Sequence, residues 1–206
     1  PWEGNGSESS PYLLKTASDV EALRDKVNTE GFSFENTYFQ LTEDITLPTG
    51  WKPIGVTKDG RKDLKNGENL NAFSGIFDGN NHTVTVPEGG LPLFGYVRNT
   101  RIRNLNIYGK KIAGYGLVNN FEGVGLSGMA VEIDNVTLKS GSSTLKSGLL
   151  GANKTMSPYA GCSSAFEATV RNCTIEKDVV IGYDRNENEI GAIAGRMQGT
   201  VENCVS

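Results

Sequence analysis

The side chains able to do acid–base or covalent chemistry are few. His82 is the single histidine among 206 residues, so a Ser/His/Asp or Cys/His nucleophile system would have to pass its proton through that imidazole. It sits in Asn80-Asn81-His82-Thr83, a turn running into a strand, where a structural or simply exposed role is expected. Three cysteines, Cys162, Cys173 and Cys204, match neither a zinc-ligand spacing nor a CxxC pair, and an odd number builds no disulfide framework. They read as free, buried thiols. Asp78-Gly79-Asn80-Asn81 has the composition of a calcium loop without the spaced acids of an EF-hand, and a tight turn is expected there. The expectation is of no catalytic residue, no metal ligand and no cofactor.

Recognition chemistry has a few more candidates. Tyr108, Tyr115 and Tyr159 lie near glycine-rich turns, where an exposed ring can stack on a sugar, and they are the candidate ligand contacts. Asn5-Gly6-Ser7, Asn81-His82-Thr83, Asn135-Val136-Thr137, Asn153-Lys154-Thr155 and Asn172-Cys173-Thr174 match the glycosylation acceptor pattern. Asn135 and Asn172 recur with a longer period, so their matches read as accidents of it. A net charge of -4, with 21% charged residues and no Lys/Arg stripe, argues against nucleic acid, whose phosphates need clustered cations. No apolar run approaches the roughly 18 residues of a membrane helix, so no membrane insertion is expected in this segment.

Periodicity and turn residues locate the elements that would position these side chains. Residues 1–11 are polar and rich in Gly and Ser and read as a flexible N-terminal segment. Tyr12-Leu13-Leu14 reads as a strand. Ser18, with Glu21 three residues later, has the pattern of a capping box. Val20, Leu23 and Val27 then fall on one helical face and Gly31 suits the C′ position, which predicts one α-helix over about 19–30. Strands are expected in 37–47 and an exposed loop over about 57–71, where charge, Gly, Asn and Lys accumulate.

After Phe73 one motif recurs: Ile102-Arg103-Asn104-Leu105-Asn106-Ile107, Ile133-Asp134-Asn135-Val136-Thr137-Leu138, Val170-Arg171-Asn172-Cys173-Thr174-Ile175 and Val201-Glu202-Asn203-Cys204-Val205. Its asparagines stand 31, 37 and 31 residues apart. Gly-bounded apolar segments precede each copy: 91–95, 116–118, 148–151 and 191–195. Inside the motif, strand alternation puts Ile102, Leu105 and Ile107 inward, yet the first two are three residues apart, so alternation slips at Asn104. Asn tolerates the left-handed backbone that such a bend needs. Asn104, Asn135, Asn172 and Asn203 are therefore expected to be corners stacked in a ladder, with Cys173 and Cys204 stacked inside as buried thiols, not as a disulfide. An internal repeat of this length predicts stacked units sharing one core. The implied fold is all-β: a right-handed, single-stranded parallel β-helix over 12–206, its coils occupying about 73–206, with the N-terminal α-helix as a cap. The chain opens at Pro1 without Met and stops within a repeat, so coils are expected to continue past the C-terminus and further domains to belong to the same chain. Arg103, Asp134, Arg171 and Glu202 would form an outward column of alternating charge, a solvated face worth about 0.5 kcal/mol per pair.

Trp51-Lys52-Pro53-Ile54-Gly55, the run Phe73-Ser74-Gly75-Ile76-Phe77-Asp78-Gly79-Asn80-Asn81-His82-Thr83-Val84, and Leu93-Phe94-Gly95 with Ile102-Arg103-Asn104-Leu105 resemble large bacterial surface proteins. Those proteins carry GLUG-like repeats and belong to the pectate-lyase-like right-handed β-helix group. The resemblance spans roughly residues 12–206, with 154–167 departing from it as an inserted loop. It implies an extracellular or cell-surface location in bacteria and supplies no catalytic residue. The expected function is a non-catalytic surface or secreted β-solenoid module serving adhesion, ligand display or as a stalk. A glycan or a host or cell-surface protein is its expected partner. The alternative is a carbohydrate-active enzyme of the polysaccharide lyase or hydrolase kind, or its carbohydrate-binding domain. An acidic groove along one face would mark that alternative.

Overall fold

The computed structural model describes residues 2–57, 70–122, 131–151, 167–184, 190–195 and 197–206. Tyr159, Cys162 and the 154–166 part of the insertion expected over 154–167 lie outside the described residues, as does the 58–69 part of the expected exposed loop.

The N-terminal segment lies against the body rather than apart from it. The Trp2 ring packs on Tyr12, Phe34 and Phe39, with centroids 5.4, 6.1 and 5.3 Å away. Leu13 N–H donates to the Glu3 carbonyl (2.9 Å) and Tyr38 N–H to that of Gly6 (2.8 Å). The expectation of a flexible 1–11 segment took no account of Trp2, whose apolar area is worth burying. Strand β1 (Tyr12–Leu14) leads into helix α1 (Ala17–Asn28). The cap is Thr16, not Ser18: its hydroxyl accepts from Asp19 N–H at 3.2 Å, and the Asp19 carboxylate accepts from Thr16 N–H at 3.0 Å. Asp19 thus replaces Glu21 as the box partner, and the helix starts and ends about two residues earlier than predicted. Gly31, at φ +78°, lies past the C-cap Thr29 and turns the chain so that Phe32 N–H reaches the Lys26 carbonyl at 3.0 Å. The predicted face holds: Val20, Leu23 and Val27 are buried.

Past the helix the described elements are all strands. In chain order come β2 (Tyr38–Leu41), β3 (Ile45–Thr46), β4 (Val56–Thr57), β5 (Leu70–Asn71), β6 (Ile76–Asp78), β7 (Thr83–Thr85), β8 (Phe94–Arg98) and β9 (Arg101–Tyr108). Then come β10 (Val118–Glu122), β11 (Val131–Leu138), β12 (Ser143–Thr144), β13 (Glu167–Arg171), β14 (Thr174–Ile175), β15 (Val180–Ile181) and β16 (Gln198–Glu202). The main sheet runs β1-β2-β6-β9-β11-β13-β16, with β3, β7 and β14 alongside, and every pairing in it is parallel. The Gly-bounded segments form a second parallel row, in which Ile54, Phe94, Val118, Leu150 and Ala194 are successive partners. A third joins Ile112, Thr144 and Ile181. Among the described residues β4 and β5 are the one antiparallel strand pair.

Parallel strands must bury both polar ladders and side chains, and the core reflects it. Phe39, Phe73, Phe94 and Phe77 form a continuous aromatic chain with centroids 6.0, 5.4 and 5.4 Å apart. Aliphatic rows continue from it: Phe77, Ile102, Ile133 and Val170 are in register and fully buried, as are Ile107 and Leu138. Two close approaches require glycine. Gly55 has φ +87°, and a Cβ there would overlap the Tyr96 carbonyl; one on Gly116 would overlap the Gly148 carbonyl.

Candidate functional site

The four motif asparagines share one backbone state. Asn104, Asn135, Asn172 and Asn203 have φ of 53°, 54°, 54° and 52°. The burial pattern changes phase at Asn104, Asn135 and Asn172: in β9, Ile102, Leu105 and Ile107 are inward and Asn104 interrupts them. Asn135 Nδ2 donates to Asn104 Oδ1 at 3.0 Å, and Asn203 Nδ2 donates to Asn172 Oδ1 at 2.6 Å. The run is not continuous. Asn172 Nδ2 donates to Asp134 Oδ1 (2.9 Å), and Asn104 Nδ2 donates to Asp78 Oδ1 (3.2 Å). Two short amide chains therefore each end on a carboxylate, because an ionised acceptor holds an N–H more strongly than an amide oxygen does. Asp78, read in the sequence only as part of a turn, is that acceptor and also meets Arg103 Nε at 2.9 Å. Its alignment with Arg103 in register was the signal that would have found it.

The outward column is Asp78, Arg103, Asp134, Arg171 and Glu202, strand by strand. Arg171 Nε lies 3.7 Å from Glu202, and beside the column Arg101 Nε lies 3.3 Å from Glu132. The Arg171–Glu202 and Arg101–Glu132 side chains are well exposed, so each of those two pairs contributes well under about 1 kcal/mol. Asp78-Gly79-Asn80-Asn81 is a turn: His82 N–H donates to the Gly79 carbonyl at 2.8 Å, with Asn80 and Asn81 at φ 50° and 62°. His82 Nδ1 lies 3.2 Å from Asp44 Oδ1, which also accepts Thr83 N–H at 2.9 Å. That bond from Thr83, followed by the one from His82, holds the Asp44 carboxyl below its ordinary range.

Of the candidate tyrosines, Tyr108 and Tyr115 lie among the described residues. Tyr108 closes β9 half-buried, its ring edge against Gly141. Tyr115 is 6% exposed, with Lys146 Nζ 5.8 Å above its ring, so its face is not offered to a sugar as expected. The glycines around it, which suggested an open turn, instead let the ring sink into the wall. Tyr115 and Lys146 line an open cleft of about 250 Å³ with Asn119, Asn120, Gly114 and Leu145. A larger depression, about 650 Å³, lies between Thr49-Gly50-Trp51-Lys52 and Pro87-Glu88-Gly89-Gly90. Trp51 is only 3% exposed there and its Nε1 donates to the Pro92 carbonyl at 3.0 Å. Neither cleft collects paired carboxylates. Among the described residues no group of three or more His, Cys, Asp or Glu side chains is placed to hold a metal ion. Among them, too, no helix is long and apolar enough to cross a membrane.

No family model matches the chain. A candidate Gly-rich membrane protein of Evansella cellulosilytica is 30% identical over 159 residues, 67% of this chain and 15% of that protein. Halomucin of Haloquadratum walsbyi is 25% identical over 201 residues, 93% of this chain and 2% of that protein. The chain therefore spans only a small part of the length of the relatives it matches. Among solved structures, a candidate immunoglobulin A1 protease from Bacteroides ovatus superimposes with a TM-score of 0.59 over 98% of this chain and 58% of that one. At 17% identity that likeness shows the fold alone.

Proposed function

We propose that the chain winds as a right-handed parallel β-helix, closed at its N-terminal end by α1. We propose further that it serves as a non-catalytic module of an extracellular or cell-surface bacterial protein, presenting its outer faces to a glycan or a surface protein. The observation that carries this reading is the register of the main sheet. From β6 to β13 the same positions stay apolar and inward, while the outward ones, on to Glu202 of β16, are filled by opposite charges and asparagine amides. A surface already neutralised row by row is suited to a rigid display scaffold. Among the described residues neither cleft collects the paired carboxylates of glycoside hydrolysis, and no acidic cluster is placed to hold a metal ion. Parallel strands in one sheet, joined by crossovers, connect right-handedly in about 98% of cases, which sets the expected hand of the coil. The resemblance to GLUG-like surface repeats and the names of the two relatives point to the same setting.

The test is a glycan array and a panel of immobilised host surface proteins probed with the 206-residue chain, alongside an assay for cleavage of uronate-containing polysaccharides. Retention of a ligand without turnover is expected. Depolymerisation catalysed by the purified chain would refute the non-catalytic reading.

A further inference from the structure

Two of the three cysteines stand opposite one another. β13 pairs with β16 through Val170 with Val201 and Arg171 with Glu202, and Thr174 bridges Val205 beyond them, so the register carries Cys173 onto Cys204. Asn172 N–H donates to the Glu202 carbonyl at 3.2 Å and Val205 N–H to that of Cys173 at 2.9 Å, closing the ladder on both sides. The asparagine pair immediately before, bonded at 2.6 Å, pins the alignment. Both thiols face the core. Cys173 Sγ reaches the Ile133 carbonyl (3.9 Å) and Cys204 Sγ the Val170 carbonyl (3.6 Å), each on the preceding strand. Both are free thiols, Cys173 buried and Cys204 half-buried.

Neighbouring strands lie about 4.8 Å apart, inside the roughly 4.4–6.8 Å Cα separation that a disulfide spans. A disulfide also draws the two Cβ atoms to about 3.8 Å. The Cys173 and Cys204 thiols already lie within hydrogen-bond reach of each other, so a small local shift closes that gap. Against the expectation that the two stay as stacked thiols, we infer that Cys173 and Cys204 are a disulfide-forming site, oxidised by exchange with a low-molecular-weight disulfide and linking the β13 and β16 rows of the main sheet.

The exchange has a fixed order. The Cys204 thiolate, the accessible one, attacks one sulfur of the small disulfide, forming a mixed disulfide and releasing one small thiolate. The Cys173 thiolate then attacks Cys204 Sγ, closing the protein bond and releasing the second. Two protein thiols lose two electrons and two protons, and the small disulfide takes them up as two thiols. Burial, with the neighbouring Cys204 thiol a lesser cause, raises Cys173 to about 12. The second step is therefore the slow one, and it quickens as pH rises.

The test incubates the folded chain with oxidised glutathione, blocks remaining thiols and maps tryptic peptides. Cleavage after Lys154, Arg171, Lys177 and Arg196 puts Cys162 in 155–171, Cys173 in 172–177 and Cys204 in 197–206. A reductant-sensitive link between 172–177 and 197–206 is expected, with a higher melting temperature in the oxidised protein, since the link restricts the unfolded chain. In Cys204→Ser, Cys173 is expected to stay reduced in the folded protein. Separate glutathione adducts on the two cysteines, or a link to 155–171 in place of theirs, would overturn the inference. So would two thiols that react only after unfolding, or a Cys173 that is modified equally fast in Cys204→Ser.

Discussion

Asparagine at φ near +53° does two things at Asn135: it takes the left-handed backbone and it donates Nδ2 to Asn104 at 3.0 Å. The two contributions separate by substitution. Asn135→Gly keeps the backbone state but loses the bond and loosens the unfolded chain, for about 1 kcal/mol in all. Asn135→Ala loses the bond and forces a Cβ into the left-handed region, adding about 1–2 kcal/mol of strain. Urea denaturation should therefore rank wild type above Gly above Ala, and an Ala variant as stable as the Gly variant would show that φ is not the determinant. Asp44 sets a pH dependence at the same scale. Its carboxyl is held low by Thr83 N–H and His82, so its contribution is complete above the unfolded value and is lost as pH falls through the folded one. Asp44→Asn should lower the melting temperature at neutral pH, and the gap to wild type should shrink on acidification. A gap independent of pH would remove Asp44 from the account.

Among the elements, α1 is the clearest case. Its apolar face, Val20, Leu23 and Val27, is legible because a 3.6-residue period admits few alternatives. Its start is not, because Thr16, Ser18 and Asp19 are all capable caps, and the choice falls to whichever has extended backbone. Thr16 has φ -137° and ψ 163°. Thr16→Ala should cost about 1 kcal/mol, while Ser18→Ala, which the sequence alone would rank as the damaging change, should be close to neutral. Thermal denaturation of the two variants decides between the caps, and the reverse order would restore Ser18.

Among the described residues the strands share one core, and four of the six exposed large hydrophobic residues lie from β15 onward. Val180, Ile190, Val201 and Val205 are 54%, 44%, 49% and 62% exposed, and Val201 lies on β16. A strand edge with apolar side chains is a template for pairing with another chain. Val201→Lys should reduce light scattering by concentrated protein, whereas Leu91→Lys, at 39% exposure on another part of the surface, should not. Equal effects would mean that general hydrophobicity, not the edge, drives association.

Features set by local chemistry are legible in the order of residues. Alternation that slips at Asn104 and its three counterparts specifies which side chains turn inward and where the backbone must go left-handed, because Gly, Asn and Asp do so at the smallest cost. The same periodicity puts Ile102, Ile133 and Val170 in one buried row. The partner that each group takes is set instead by the stacking of the strands. Asn172 donates to Asp134 rather than continuing the run to Asn135, a contact that exists only once the strands are stacked. Tyr115 is buried beneath Lys146, and Trp2 anchors a segment that composition marks as loose. These are long-range contacts, and a pattern read along the chain carries no distance between residues that meet only across it.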